Sequence, residues 1–573
     1  MAYEIRDLGV ISDRRTGAVI DRDGDICWYC PVEFDQPSLF ASLLDDEKGG
    51  CWSLELPDEY KVKRHYPGTS SILESHCESD KDAFSRTDWM PLHDDFSGIC
   101  RLFSRSSCGI TNKIIPAPGY GGDEVHINKI SDFSVDVNDK HFFSFSHPCR
   151  VDQRQILFQI PSGEKGWAVL SDKPVPEINI EKLKESLKKT RTEWDKIGMH
   201  ISYEGHYKEE VFNSVRAIRQ MTHEHSGGII AALTTSLPEV PGKDRNYDYR
   251  YVWLRDASMI VSALTRAGSE GRDERKFLDF ICSARNNIHD YSTTPFVTVK
   301  KQAAPAERYL DLKGYMDSRP VRVGNNANQQ LQLDAGSNIL LAAKLIYSQF
   351  GIRDHWDTIA GITGFLAENW QKEDHGIWEE HIARHFTSSK VIMTVALEFI
   401  SEHSRNERQK KRWRETAGQI RDFIAENCLT TSGAYAVFAG SDEVDITATL
   451  FPEWAFCKAD TPEMISTVRE LETRFCKNDL VYRNLLLFDE KKEGTFLAAS
   501  FWMAQYWIMR NNYEKSKAYI DAALQYNNDL GLFAEEADPH SDQMLGNFPQ
   551  SFVHASFIGA AIDFNNAFEQ KIK

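Results

Sequence analysis

No run of about 18 uncharged apolar residues occurs in this 573-residue chain, so the length a helix needs to cross a bilayer is missing. Long basic runs are missing too. The 67 Lys and Arg stand against 85 Asp and Glu, a net charge of −18, which argues against nucleic acid or an anionic membrane as partner. Met1-Ala2-Tyr3-Glu4-Ile5-Arg6-Asp7 lacks a charged leader with an apolar stretch behind it, so a soluble cytoplasmic protein is expected. The cysteines number 11, and an odd number cannot form a complete disulfide framework, so reduced thiols are the simpler expectation. Cys27 and Cys30 are spaced like half a zinc knuckle, but no second pair of that spacing follows, and packing beside a strand is expected of them. His381 and His385 lie four apart beside Glu379 and Glu380. Ile382 stands where a zincin helix needs Glu, so no metal is expected. No glycine loop leads into Lys-Ser/Thr, which removes the commonest phosphate cradle. A neutral or cationic ligand fits what remains, and self-association is left open.

Residues 1–180 read as β-structure. Val19–Arg22 and Ile26–Tyr29 flank Asp23-Gly24, a dipeptide favoured in tight hairpins, and Phe143-Ser144-Phe145-Ser146 alternates with period two. Frequent Gly, Pro and Asp breaks suggest a sandwich. Residues 181–204 change texture: Leu183, Leu187 and Trp194 share one helical face in a Lys/Glu-rich stretch, read as a linker helix. From 205 to 573 the apolar spacing is helical, as in Val211/Val215/Ile218, Val391/Val395/Phe399 and Val553/Phe557/Phe564. Twelve such segments occur, among them 327–349 and 442–450, and twelve helices suggest six hairpins closed in a ring, an (α/α)6 barrel.

Between the helices, aromatic and charged residues recur together. The segments are Tyr249–Asp256, Ser318–Asn325, Gly376–Glu380 and Phe533–Pro539, and loops on one face of a scaffold are where chemistry concentrates. Adjacent glutamates are ordinarily a solvated helix turn, as expected for Glu209-Glu210. In Gly376-Ile377-Trp378-Glu379-Glu380 an indole able to stack on a pyranose precedes two carboxyls. A carboxyl crowded by a second one and by apolar bulk holds its proton longer. Arg255-Asp256 alone would pass for a capping pair at a helix start, and Trp253 for core filling. The recurrence of the same residue types in four segments points instead to a saccharide pocket.

Assembled in order, these segments resemble glycoside hydrolase family fifteen, the glucoamylase-like enzymes, and in particular its trehalase-like branch. The resemblance rests on Tyr-Arg-Tyr-x-Trp-Leu-Arg-Asp-Ala-Ser (249–258), Ser-Arg-Pro-Val-Arg-x-Gly-Asn (318–325) and Gln-Leu-Gln-Leu-Asp (330–334). It continues through Gly-Ile-Trp-Glu-Glu with His385-Phe386-Thr387, and through Gly546-Asn547-Phe548-Pro549-Gln550 after Glu535. Asp13–Gly17, Trp28 and Phe34-Asp35 resemble the family's β-sandwich domain. The resemblance implies an inverting exo-hydrolase that releases glucose from a non-reducing end without a cofactor. Glu379 matches the general acid and Glu535 the general base, and Trp378 and Glu380 match sugar contacts around the scissile bond. Arg255 and Asp256 match the pair holding the terminal glucose, with Trp253 and Tyr249 as walls. Glu536 stands where starch-active members carry Gln, and Val299–Pro305 departs from the family's loop on the leaving-group side.

The acid is expected to have its pKa raised by Glu380 and by Trp378, and the base to sit in a polar, partly wet setting. With no starch-binding module visible, short α-glucosides are the expected substrates. Trehalose and isomaltose or dextran are the alternatives, and a non-catalytic carbohydrate-binding protein is the rival of another class.

Overall fold

A computed structural model describes residues 3–56, 59–198, 201–269, 271–288, 295–483 and 493–572. Fifteen strands between Gly9 and Ser171 form two antiparallel sheets. The seven-stranded sheet runs in the order 9–12, 17–20, 26–29, 51–55, 110–115, 155–160, 149–152. The eight-stranded sheet runs 127–131, 134–137, 141–145, 166–171, 98–103, 83–89, 73–78, 61–65. The two meet through aromatic rings: Trp52 of the first sits 6.0 Å from Phe143 of the second, and Phe158 sits 4.7 Å from Phe145. The result is sandwich-like. The Asp23-Gly24 turn forms as expected, with Asp21 Oδ1 accepting from the backbone N–H of Gly24 and of Asp25 at 2.7 Å each. Gly24 has φ +105° and the Arg86 guanidinium packs where a Cβ would stand, so no other residue fits. Cys27 lies on a buried strand with Cys30 just beyond it, and no disulfide joins cysteines among the described residues.

Twelve α-helices follow among the described residues: α1 (Ile180–Gly198), α2 (Lys208–Gln220), α3 (Leu254–Arg266), α4 (Arg272–Ile288), α5 (Leu333–Phe350), α6 (Trp356–Asn369), α7 (Thr387–His403), α8 (Glu407–Asn427), α9 (Pro462–Arg474), α10 (Leu497–Met509), α11 (Tyr513–Leu524) and α12 (Ser551–Ile572). α1 does not span open space as a strut. Leu183 packs with Ile72 and with Trp89, Cys100 and Val169 of the eight-stranded sheet, and Thr190 Oγ1 accepts from the Leu92 N–H at 3.2 Å. Its apolar stripe is the underside of a helix lying on the sandwich.

The expected segment 442–450 is a 3-10 helix at Ile446–Leu450, because Asp445 caps it by accepting from the Thr447 N–H at 2.8 Å while its other oxygen is engaged elsewhere. The segment 327–349 is helical only from Leu333. Asn325 Oδ1 accepts from Ala327 N–H at 2.9 Å to make a 3-10 turn, after which Gln330 and Gln332 run extended into the site. α3 packs on α5, α5 on α7, α10 on α12, and α12 on α3, with α2 packed against α12, α4 against α3, α6 against α5, α8 against α7 and α11 against α10. No helix among the described residues is long and apolar enough to cross a membrane.

Sandwich and helices share one continuous core. Polar ties reinforce it: the Trp28 indole donates to the Leu233 carbonyl at 2.9 Å, and Gln220 Nε2 to the Val10 carbonyl at 3.1 Å. The most consequential tie is a buried ion pair. Arg250 donates twice to Asp248, at 2.8 and 2.7 Å, then reaches the Gln36 carbonyl of the sandwich at 3.1 Å while its guanidinium lies 5.7 Å from Trp28 and 5.6 Å from Tyr120. Neither Arg250 nor Asp248 is exposed. Asp248 Oδ2 also accepts from the Gly324 N–H at 3.1 Å. Replacing Arg250 alone strands a buried carboxylate, which typically costs about 3–5 kcal/mol. Urea denaturation of Arg250→Met is expected to show a loss of that order, and Asp248→Asn combined with it is expected to recover part of the loss.

Candidate active site

A cavity of about 770 Å³ opens on the helical part of the chain, within the ~300–1,000 Å³ typical of small-molecule sites. Tyr249, Trp253, Arg255, Asp256, Trp378, Glu379, Glu380 and Glu535, the residues singled out from sequence, all line it.

Glu379 lies in the link between α6 and α7. The Glu380 N–H donates to the His375 carbonyl at 3.0 Å, and Gln330 Nε2 donates to the Glu379 carbonyl at 2.9 Å. Glu379 itself adopts φ +58°, a left-handed conformation a glutamate seldom takes, so the surrounding contacts hold it against strain. Its Oε1 accepts from the Trp253 indole at 2.6 Å and from Gln332 Nε2 at 3.2 Å, with the Arg255 guanidinium 3.9 Å away. Burial raises its pKa. Arg255 and the two donors oppose that, and Asp256 adds to it.

The like charge that bears on Glu379 is therefore Asp256, not Glu380 as expected. Glu380 belongs to a different neighbourhood. Its pKa is pushed up to about 7 by burial, with Arg483 opposing and Asp445 reinforcing. Its Oε1 is buried without a hydrogen-bond partner among the described residues, an acceptor left for something in the cavity. The apolar bulk beside Glu379 also differs from expectation. Trp253, stacked on Phe296 at 4.3 Å, touches it, whereas Trp378 donates to Asp445 Oδ2 at 2.7 Å and lies among Phe496, Trp502 and the Arg483 guanidinium.

Arg255 and Asp256 form the first turn of α3 and are paired at 2.8 Å, with Arg255 Nη1 also donating to Gln332 Oε1 at 3.3 Å. Both stay buried on the cavity wall.

Glu535 and Glu536 point to opposite sides, as successive residues entering a strand do. The short strand Glu536–Ala537 pairs with Thr495–Phe496 and Met544–Leu545. Glu536 turns inward, fully buried, and accepts from the Gly494 N–H at 2.9 Å. It does not line the cavity. Glu535 does line it, accepting from the Tyr249 hydroxyl at 2.8 Å. Gly546 has φ +75°, and a Cβ there would come within 2.6 Å of Glu535 Oε2, so glycine is what lets this carboxylate fit.

The partly wet setting expected for Glu535 is not what forms. It is 2 % exposed, and burial together with the charge of Glu239 pushes its pKa up to about 8, with Arg483 and the Tyr249 hydroxyl pulling the other way. Tyr249 and Trp253, 5.4 Å apart and edge to face, connect the two carboxylates: Glu535–Tyr249–Trp253–Glu379 is one continuous chain of contacts.

Sequence reasoning missed the ion-pair lattice behind Glu535. Arg483 Nη2 meets Glu239 at 2.8 Å and Glu536 at 3.6 Å and its Nε meets Glu493, while Arg245 bridges Glu239 at 2.7 Å and Glu493 at 2.9 Å. Oxygens of Glu239, Glu493 and Glu536 lie within 4.8 Å of one another, a spacing a cation could use, but the two guanidinium groups already lie among them. Nothing local marked these residues, since Arg245 reads as part of a polar loop and the lattice joins segments over 200 residues apart. His381 lines the cavity, whereas His385 packs on Phe423 at 5.5 Å, so the two histidines do not converge.

The model of glycosyl hydrolases family 15 matches residues 205–518 and 506–562, more than half of the chain, and a trehalase-like N-terminal model matches residues 1–138. This chain belongs to glycosyl hydrolase family 15. Among relatives of this family 15 hydrolase, Trehalase 2 of Sulfolobus acidocaldarius is 28 % identical, with 95 % of this chain and 97 % of the relative covered. Trehalase 1 of the same organism is 29 % identical, at 97 % and 98 % coverage. The trehalase of Mycobacterium tuberculosis is 26 % identical, at 99 % and 90 %. A bacterial glucoamylase complexed with acarbose superposes with a TM-score of 0.73 at 12 % identity, covering 100 % of this chain and 96 % of the other, which establishes a shared fold. The family 15 chain is thus a glycoside hydrolase of glucoamylase-like fold.

Burying Glu535 opposes its ionisation. A folded pKa raised from the ordinary 4.5 to about 8 means stability that is present below pH 4.5 and is lost as pH rises toward 8. Glu535→Gln removes that loss. Its melting temperature relative to the parent is expected to climb steadily as pH is raised across that window, as followed by scanning calorimetry. A flat difference would show that Glu535 ionises as freely folded as unfolded.

Proposed function

We propose that this hydrolase cleaves α,α-trehalose to two molecules of glucose with inversion at the attacked carbon. The observation that carries the reading is full-length similarity to relatives named trehalase, from the sandwich to the last helix. The sequence placed short α-glucosides first and trehalose second, and these relatives reverse that order. The compact cavity supports a disaccharide-sized, neutral substrate, and its aromatic and paired acidic and basic walls suit sugar hydroxyls.

In this reading Arg255 and Asp256 hold the terminal glucose. Glu379, kept toward its protonated form by burial, donates its proton to the glycosidic oxygen as the C1–O bond breaks. Glu535 takes a proton from the water that attacks C1 from the opposite face, so the attacked ring leaves as β-glucose and the other as α-glucose. Glu535 must be ionised to do so, and Arg483 and the Tyr249 hydroxyl are the groups that favour that form. The choice of Glu535 over Glu536 is supported by their opposite orientations. No cofactor takes part in this chemistry.

The reading includes a ring of six helical hairpins, supported by the packing of α12 back onto α3 and by the 3-10 helix at Ile446–Leu450, which packs on α10 in the place of a twelfth helix. It also includes a cytoplasmic setting, supported by the lack of a disulfide among the described residues.

Trehalose, maltose and isomaltose assayed side by side are expected to give kcat/KM highest for trehalose. Proton NMR of fresh product should show α- and β-glucose in equal amounts, whereas α-glucose alone would mean retention. Glu379→Gln and Glu535→Gln are each expected to fold and to lose at least about 10²-fold in kcat, the scale of a positioned acid or base. Near-parental turnover in either variant would remove that residue from the role.

A further inference from the structure

Among the described residues Tyr309 is the most exposed of the large apolar side chains, at 66 %, and of those exposed it is the one that lines the cavity. It is not a loose side chain. It sits on an antiparallel hairpin, Arg308–Leu310 against Val321–Val323, whose register places it directly opposite Arg322. The Arg322 guanidinium lies 5.7 Å from the Tyr309 ring and 5.2 Å from the Tyr247 ring, a cation between two π faces. That guanidinium is fixed in turn. Its Nη1 donates to the carbonyls of Asp244 and Asn246 at 2.6 and 2.7 Å, and its Nε donates to Glu307 at 3.2 Å. An aromatic ring held this firmly while two-thirds exposed presents apolar area to water at a cost, and a ring so placed on a cavity wall is a surface for a ligand with an apolar face.

The cavity has two unlike ends. Trp253, Arg255, Asp256 and Glu535 are buried, whereas Lys243, Asp244 and Tyr309 are exposed. A terminal glucose bound at the buried end puts the second ring of a disaccharide toward the exposed one. Pyranose rings carry C–H groups on one face and stack on aromatic rings through it. Resting on the trehalose reading, we infer that Tyr309, braced by Arg322, is the platform for the leaving glucose and sets the preference for a sugar as leaving group. The hairpin belongs to the segment between α4 and α5, where the sequence already departs from the family's loop.

The test compares the parent, Tyr309→Ala and Tyr309→Phe on trehalose and on α-glucosyl fluoride, whose leaving group has no ring. Tyr309→Ala is expected to raise KM for trehalose about three- to tenfold, the size of one aromatic contact, with kcat within about twofold of the parent. Tyr309→Phe is expected to restore KM, and α-glucosyl fluoride to be used equally well by all three. An unchanged KM for trehalose in Tyr309→Ala, with the parent active on trehalose, overturns the platform and leaves the trehalose reading standing. Equal losses on both substrates also overturn it, because they would make Tyr309 a support of the whole site. A parent active on α-glucosyl fluoride but not on trehalose overturns the trehalose reading and, with it, the platform for its leaving glucose.

Discussion

The Asp248–Arg250 pair is the constraint on which the site depends. Both groups are buried, so each is satisfied by the other and by fixed backbone, with Cys30 Sγ accepting a further bond from Arg250 at 3.4 Å. The Gln36 carbonyl of the sandwich supplies that backbone on one side and the Gly324 N–H on the other. Tyr249, caught between them in sequence, is left to face the opposite way and meets Glu535. Four residues on, Trp253 enters the turn that starts α3 and meets Glu379. One short stretch of chain thus sets both carboxylates, and the sandwich acts on the site by holding that stretch from behind without lining the cavity.

The electrostatics of the cavity are a contest between burial and paired cations. Glu379, Glu380 and Glu535 are all shifted toward the protonated form by burial, and each is opposed chiefly by an arginine: Arg255 for the first, Arg483 for the other two. The two arginines divide the cavity into neighbourhoods. Near Arg255 the carboxyl has an indole and an amide as donors. Near Arg483 several carboxylates share two guanidinium groups. Such buried charge costs stability, as is common where function needs strained or mispaired groups.

Much of this was legible in the sequence because it is local or periodic. The Asp-Gly hairpin, the apolar stripes of α2 and α12 and the turn carrying Trp378-Glu379-Glu380 each depend on residues a few positions apart. The gathering of the eight singled-out residues around one cavity followed from segments recurring between helices. What the sequence could not show is which side chain meets which across long separations. Adjacency suggested that Glu380 acts on Glu379, but the backbone turn at φ +58° sends the two side chains into different neighbourhoods. Trp253 looked like a sugar wall, and its N–H is engaged by a carboxylate 126 residues away. The lattice of Arg245, Arg483, Glu239 and Glu493 had no sequence signal, since each member sits among ordinary polar neighbours.

In the proposed mechanism Glu379 and Glu535 face the scissile carbon from opposite sides in different roles. Chemical rescue tests this most directly. Glu535→Ala opens a space where the proposed mechanism puts the attacking water, and with α-glucosyl fluoride and azide it is expected to regain turnover and form β-glucosyl azide. Glu379→Ala under the same conditions is expected to give no azide adduct beyond the parent's background. An adduct of α configuration, or rescue confined to Glu379→Ala, would contradict the account.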